Sequence, residues 1–198
     1  MLPLPNPSPQ PQKTALPQSK GDFYRDLSLQ LKGLLEGERD WVANAANLSA
    51  LLYLMVPDLN WAGIYVLRRC NGIRDGIRDG KRNGKRNGKR ESTELVLGPF
   101  QGKPACVRIP VTPVAQGVCG SAASKIRTMI VNDVHEFPGH IACDSASRSE
   151  LVVPLIRNGV LWGVIDLDSP SHSRFDAEDA AGVEALAATF LCMTEFPG

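Results

Sequence analysis

Two strand-like runs, ELVVPLIR (Glu150 to Arg157) and LWGVIDLDS (Leu161 to Ser169), are joined by the dipeptide Asn158-Gly159. Their density of aliphatic and β-branched residues suits strands. Asn-Gly supplies two residues that tolerate the positive φ angles of a primed hairpin turn. The chain is thus committed to an antiparallel pair near its C-terminal end, and the rest must pack around that pair. Earlier in the chain, WAGIYVL (Trp61 to Leu67) and TELVLGPF (Thr93 to Phe100) read as a second pair, with shorter strands expected at Ala105 to Ile109 and Thr128 to Val131. Between Asn132 and Ser149 a loop is expected.

Helical periodicity flanks these strands. Asp22 is a candidate cap for a helix with Phe23, Leu27, Leu31, Leu34 and Leu35 on one face. A second helix is expected from Asp40 to about Val56, striped by Trp41, Ala45, Leu48, Leu52 and Met55 and stopped by Pro57-Asp58. A third is expected near Gly120 to Ile126. A last one begins near Asp176 and carries Val183, Leu186, Ala187 and Phe190. Hairpins bracketed by helices predict an antiparallel sheet flanked by helices, an α/β (α+β) class.

Residues 71–90 read NGIRDGIRDGKRNGKRNGKR, five copies of a four-residue unit. A glycine every fourth residue opposes both helix and strand, so a low-complexity loop inserted between two strands is expected. Closing a longer loop adds only about 0.6 kcal/mol per doubling of its length. The chain holds 22 basic and 21 acidic residues; the repeat takes eight and two of them, leaving 14 and 19 elsewhere. Such a basic tract can attract nucleic acid electrostatically. It has no aromatic residue for base stacking, so nucleic acid is not the expected partner.

Residues 1–20 are rich in Pro, Gln and Ser and are expected to form a disordered leader ahead of a domain spanning 21–196. No apolar run approaches the roughly 20 residues that cross a bilayer, and the leader lacks the pattern of a secretory signal. No membrane association and a cytoplasmic location, with reduced thiols, are therefore expected. Five cysteines (Cys70, Cys106, Cys119, Cys143, Cys192) contain no CxxC pair, and no metal is expected from their spacing.

Cys143 lies in GHIACDSASRSE, a polar loop where His140 or Arg148 is placed to favour a thiolate. The alternative is a small, partly buried residue. Cys106 in GKPACVRIP and Cys119 in AQGVCGSAA also adjoin turn signals, and several such thiols suit a sulfenic acid and disulfide cycle. Cys70, beside the repeat, and Cys192, on the apolar face of the last helix, read as inert. Asp166 and Asp168 are two apart on one strand and share a face, and Glu150 opens the neighbouring strand. Side by side such acids need a shared proton or a cation; alone they read as solvent-exposed strand ends. Trp61 and Tyr65 share one face of their strand, as core or as a pocket wall.

The blocks NWAGIYVL, LGPFQGKPACVRIP, GVCGSAA, GHIACDSASRSELVVPLI and GVLWGVIDLDSPSHSRFDAED, in that order, resemble the free methionine-R-sulfoxide reductases, enzymes built on a GAF domain. The resemblance implies a six-stranded antiparallel sheet with helices on both faces and a pocket for free L-methionine-R-sulfoxide. It implies that Cys143 attacks the sulfoxide sulfur, that Cys106 resolves the product, and that Cys119 joins in disulfide exchange. By the same resemblance Glu150, Asp166 and Asp168 bind and polarise the substrate, and Trp61 and Tyr65 hold its methyl end. No cofactor, a thioredoxin-type reductant and a homodimer follow from it. A GAF sensor module that binds a small ligand without catalysis is the alternative.

Overall fold

The computed structural model describes residues 19–71, 91–112, 117–137, 139 and 146–196. Residues 1–18 of the leader, residues 72–90 of the repeat, His140 and Cys143 lie outside the described residues. Helix α1 (Lys20–Leu34) and helix α2 (Trp41–Met55) precede the strands. Then come β1 (Trp61–Asn71), β2 (Glu91–Gly102), β3 (Arg108–Val111), α3 (Gly117–Lys125), β4 (Met129–Val131), β5 (Ser149–Arg157), β6 (Val160–Ser169) and α4 (Ala177–Met193). The strands form one six-stranded sheet in the order β3-β2-β1-β6-β5-β4. Every neighbouring pair is antiparallel.

The expected antiparallel sheet with helices on both faces is observed. One face carries Ala62, Ile64, Val66, Leu151, Val153, Leu155, Ile165 and Leu167, packed against α1, α2 and α4. The other carries Trp61, Tyr65, Leu95, Val152 and Val164, packed against α3 through Val118, Cys119, Ala122 and Ala123. Alternation along each strand makes this division, and it leaves the second face with the thinner cover.

Local chemistry explains most boundaries. Asp40 caps α2 by accepting from the amides of Val42 and Ala43 at 2.9 Å. Asp176 caps α4 in a reciprocal capping box with Asp179. Asn158 and Gly159 both have positive φ, +52° and +75°, as the expected turn between β5 and β6 requires. Five expectations need correction. The cap of α1 is Ser19, whose hydroxyl accepts from the Asp22 amide, so the helix starts earlier than Asp22. Leu34 is 48 % exposed because α1 turns it away from the sheet. Cys192 is exposed: Phe190 and Leu191 hold the buried stripe there, and Cys192 falls beside it, facing Lys32 and Glu36 across a groove. Strand β3 starts three residues after the expected Ala105, and α3 starts at Gly117 rather than Gly120.

The register of β1 with β2 runs on to Asn71 opposite Glu91. A two-residue Asn-Gly turn in place of residues 72–90 would therefore close the hairpin in its native register. That variant is expected to match or exceed the parent in urea midpoint and to keep its activity. A marked loss of either would show that the repeat packs on the domain or serves the site.

Candidate active site

The central ladder of the sheet brings the acids to the aromatics. Trp61 pairs with Asp168, Gly63 with Asp166, and Glu150 with Asp168 across β5 and β6. Since partners in register share a face, Trp61, Tyr65, Asp166, Asp168 and Glu150 all project to the side covered by α3. A cavity of about 20 Å³ opens there, lined by Trp61, Tyr65, Lys103, Pro104, Ala105, Asp166 and Asp168.

Trp61 is the middle of an aromatic stack. Its ring lies 5.5 Å from Phe100 at 14° and 5.9 Å from Tyr65 at 26°. Its indole N–H donates to the Lys103 carbonyl at 3.1 Å. Gly63 makes room for it, because a Cβ there would sit 2.4 Å from Trp61 Cη2 and 2.5 Å from Phe100 Cβ. A shift of register between Gly63 and Tyr65 bulges β2 around Gly98-Pro99 and sets Phe100 opposite Gly63. Pro99 has no amide proton to lose at this irregularity, and its carbonyl accepts from Ser49 at 3.0 Å.

Glu150 and Asp166 are both buried, and Asp168 is half-buried. The fully buried Cys119 thiol donates to Glu150 Oε1 at 3.8 Å. Burial, reinforced by the negative charges of Asp166 and Asp168, pushes the Glu150 carboxyl well above the ordinary carboxylate range. Burial likewise raises Asp166 from 3.8 to about 6. The Cys119 thiol is pushed up by burial and by Asp166 and Glu150. Cys119 thus sits here as a proton donor, while the acids hold at least one proton between them.

Asp166 titrates higher in the native state than in the unfolded chain, so the native protein binds more protons between about pH 4 and pH 6. Its stabilising contribution is complete below pH 4 and is lost as pH rises through 6. Each such proton contributes a slope of at most about 1.4 kcal/mol per pH unit. The difference in unfolding free energy between the parent and Asp166→Asn should change over this window, the parent losing ground as pH rises. A constant difference from pH 4 to 7 would refute it.

Of the expected site residues, Trp61, Tyr65, Glu150, Asp166, Asp168 and Cys119 are brought together. Cys106 is half-buried and packs on the same apolar cluster as Cys119. Cys143 lies outside the described residues, but both flanks of its segment are tied near the site. Gly139 accepts from the Gly117 amide at the start of α3 at 2.8 Å. On the other side, Ser147 accepts from the Asn60 side chain at 3.1 Å, and the Arg148 amide donates to Ser169 at 2.7 Å. Phe100 and Lys103 were not among the expected site residues. Both stand in LGPFQGKPAC, where a strand ends close to a cysteine, and that adjacency is the signal that points to them.

Residues 45–190 match the model of the GAF domain. The free methionine-R-sulfoxide reductase of Escherichia coli K12 is 44% identical over 170 residues, covering 86% of this chain and 87% of that protein. The chain belongs to the free methionine-R-sulfoxide reductases of the GAF domain family. The family member from Saccharomyces cerevisiae is 40% identical over 174 residues, 85% of this chain and 84% of its own length. A crystal structure of the family's enzyme from Neisseria meningitidis in complex with its substrate superposes with a TM-score of 0.71 at 38% identity, covering 90% of this chain and 92% of that one. Among the described residues, no helix is long and apolar enough to cross a membrane.

Proposed function

We propose that the protein reduces free L-methionine-R-sulfoxide to L-methionine. The observation that carries this reading is the juxtaposition of a stacked aromatic wall with three acids, two of them buried, in a chain 44% identical to the E. coli reductase. Trp61 and Tyr65 offer an apolar surface to the S-methyl group. An acid that retains its proton near neutrality can donate to the sulfoxide oxygen, and an ionised neighbour can hold the substrate ammonium. About 20 Å³ is room for one water-sized group, so a substrate the size of methionine sulfoxide requires the cavity to widen.

In the proposed cycle the Cys143 sulfur attacks the sulfoxide sulfur while the acid cluster delivers a proton to oxygen. The S–O bond breaks, oxygen passes to Cys143, and methionine leaves as Cys143 becomes a sulfenic acid. The Cys106 thiol then condenses with it, releasing water and forming a disulfide. A thioredoxin-type dithiol returns both sulfurs to thiols, itself becoming the disulfide. Cys119, protonated beside Glu150, enters only by exchange with that disulfide. A homodimer is part of this reading.

The test is methionine formation from free L-methionine-R-sulfoxide with a dithiol reductant. Steady turnover supports the assignment. Saturable binding of the sulfoxide with no methionine formed would overturn it in favour of a ligand-binding sensor.

A further inference from the structure

The acid cluster contains a donor set that the reductase cycle does not need as a set. Cys119 Sγ, a Glu150 oxygen and an Asp166 oxygen lie within 4.8 Å of one another, all three side chains buried. In a tetrahedral zinc site, with Zn–S near 2.3 Å and Zn–O near 2.0 to 2.2 Å, sulfur and oxygen ligands stand about 3.5 Å apart. The observed Cys119 Sγ to Glu150 Oε1 separation is 3.8 Å. The Cys119–Glu150 edge already approaches that spacing, and the set as a whole, within 4.8 Å, would contract by about 1 Å to close on one ion.

A second observation points to a cation. Asp166 Oδ1 is buried without a hydrogen-bond partner, although Asp166 is only 6 % exposed. An unpaired buried carboxyl oxygen is unfavourable by roughly 1–3 kcal/mol or more, and either the proton shared among the acids or a bound cation that displaces that proton would relieve it. Asp166 also lines the 20 Å³ cavity, which has room for a single water. A water held there would supply a fourth ligand, as in zinc sites with three protein donors. One thiolate and two carboxylates favour a borderline-soft ion over magnesium or calcium, which take all-oxygen shells.

We propose that Cys119, Glu150 and Asp166 form a binding site for Zn²⁺, and that an ion held there blocks the pocket between the acids and the aromatic wall. Binding is a coordination step: the Cys119 proton and any proton shared by the acids pass to solvent, and no electrons move. The blocking half of the proposal rests on the reductase reading; the binding half does not.

The test uses the reduced full-length protein and two metal probes. Zn²⁺ affinity is measured by competition with a chromogenic chelator, and Co²⁺ is added to report sulfur ligation through thiolate-to-metal charge-transfer absorption. One Zn²⁺ per chain is expected, with affinity lower by about tenfold or more in both Cys119→Ser and Glu150→Gln. The cobalt charge-transfer band should disappear in Cys119→Ser and persist in a Cys106→Ser/Cys143→Ser double variant. Unchanged Zn²⁺ affinity in Cys119→Ser, a band that vanishes in the double variant, or no binding at micromolar Zn²⁺ would each overturn the site. The cobalt spectrum of the parent reads the site even if a variant fails to fold. Activity is followed separately: methionine formation should fall on titration with Zn²⁺ and return with a chelator. Stoichiometric binding without inhibition would remove the blocking half alone.

Discussion

Replacing Cys143 by serine should abolish methionine release in a single turnover on free methionine-R-sulfoxide. A serine hydroxyl is a far poorer nucleophile toward sulfur, and in the proposed cycle no other thiol attacks the sulfoxide. Cys106→Ser should behave differently. It should retain one turnover, because attack precedes resolution, and should lose or strongly slow recycling by thioredoxin. The pair separates nucleophile from resolving thiol in one rapid-quench experiment. Methionine release by Cys143→Ser at the parent rate would reassign the nucleophile. Multiple thioredoxin-driven turnovers by Cys106→Ser at the parent rate would reassign the resolving role, with Cys119 the next thiol to examine.

The second large effect concerns the form of the substrate. If one of Glu150, Asp166 and Asp168 meets the ammonium of a free amino acid, acetylating that nitrogen leaves the acid without its cation in a poorly solvated pocket. The penalty is on the order of a few kcal/mol, so discrimination of about 100-fold or more in kcat/KM is expected between the free and N-acetylated sulfoxides. The R epimer should be preferred to the S epimer, since only one arrangement presents sulfur to Cys143 while oxygen meets an acid. Asp168→Asn should reduce kcat/KM on the free substrate. Equal rates on free and acetylated substrate would refute the pocket even with the thiol roles intact.

The strands were legible because each carries a local signal. The Asn158-Gly159 turn, the aromatic and β-branched run of β1 and the start of α4 near Asp176 all act within a few residues and appear in the structure as expected. The paired acids were legible for a similar reason, since two residues apart on a strand always means one face. What lay hidden depends on contacts between distant segments. Cys119 and Glu150 are 31 residues apart, outside any short metal-ligand or catalytic spacing, and meet only because α3 lies across β5 and β6. Phe100 reaches Trp61 only because β2 bulges by one residue. Cys192 misled because a helix with apolar residues nearly all round conceals which of them is left outside.

The ladder between β1 and β6 has a kinetic consequence. The aromatic wall belongs to the β1–β2 hairpin and the acids to the β5–β6 hairpin, and the two halves join along the run from Trp61↔Asp168 to Val66↔Gly163. Each hairpin closes quickly on its own contacts, whereas the seam joins residues 97 to 107 positions apart and must wait for that long closure. A slip of one residue there would send Asp166 and Asp168 to the face packed against α1, α2 and α4. During refolding, far-ultraviolet ellipticity should therefore return before catalysis does, because the reacting groups meet only when the last and slowest alignment of the sheet is complete.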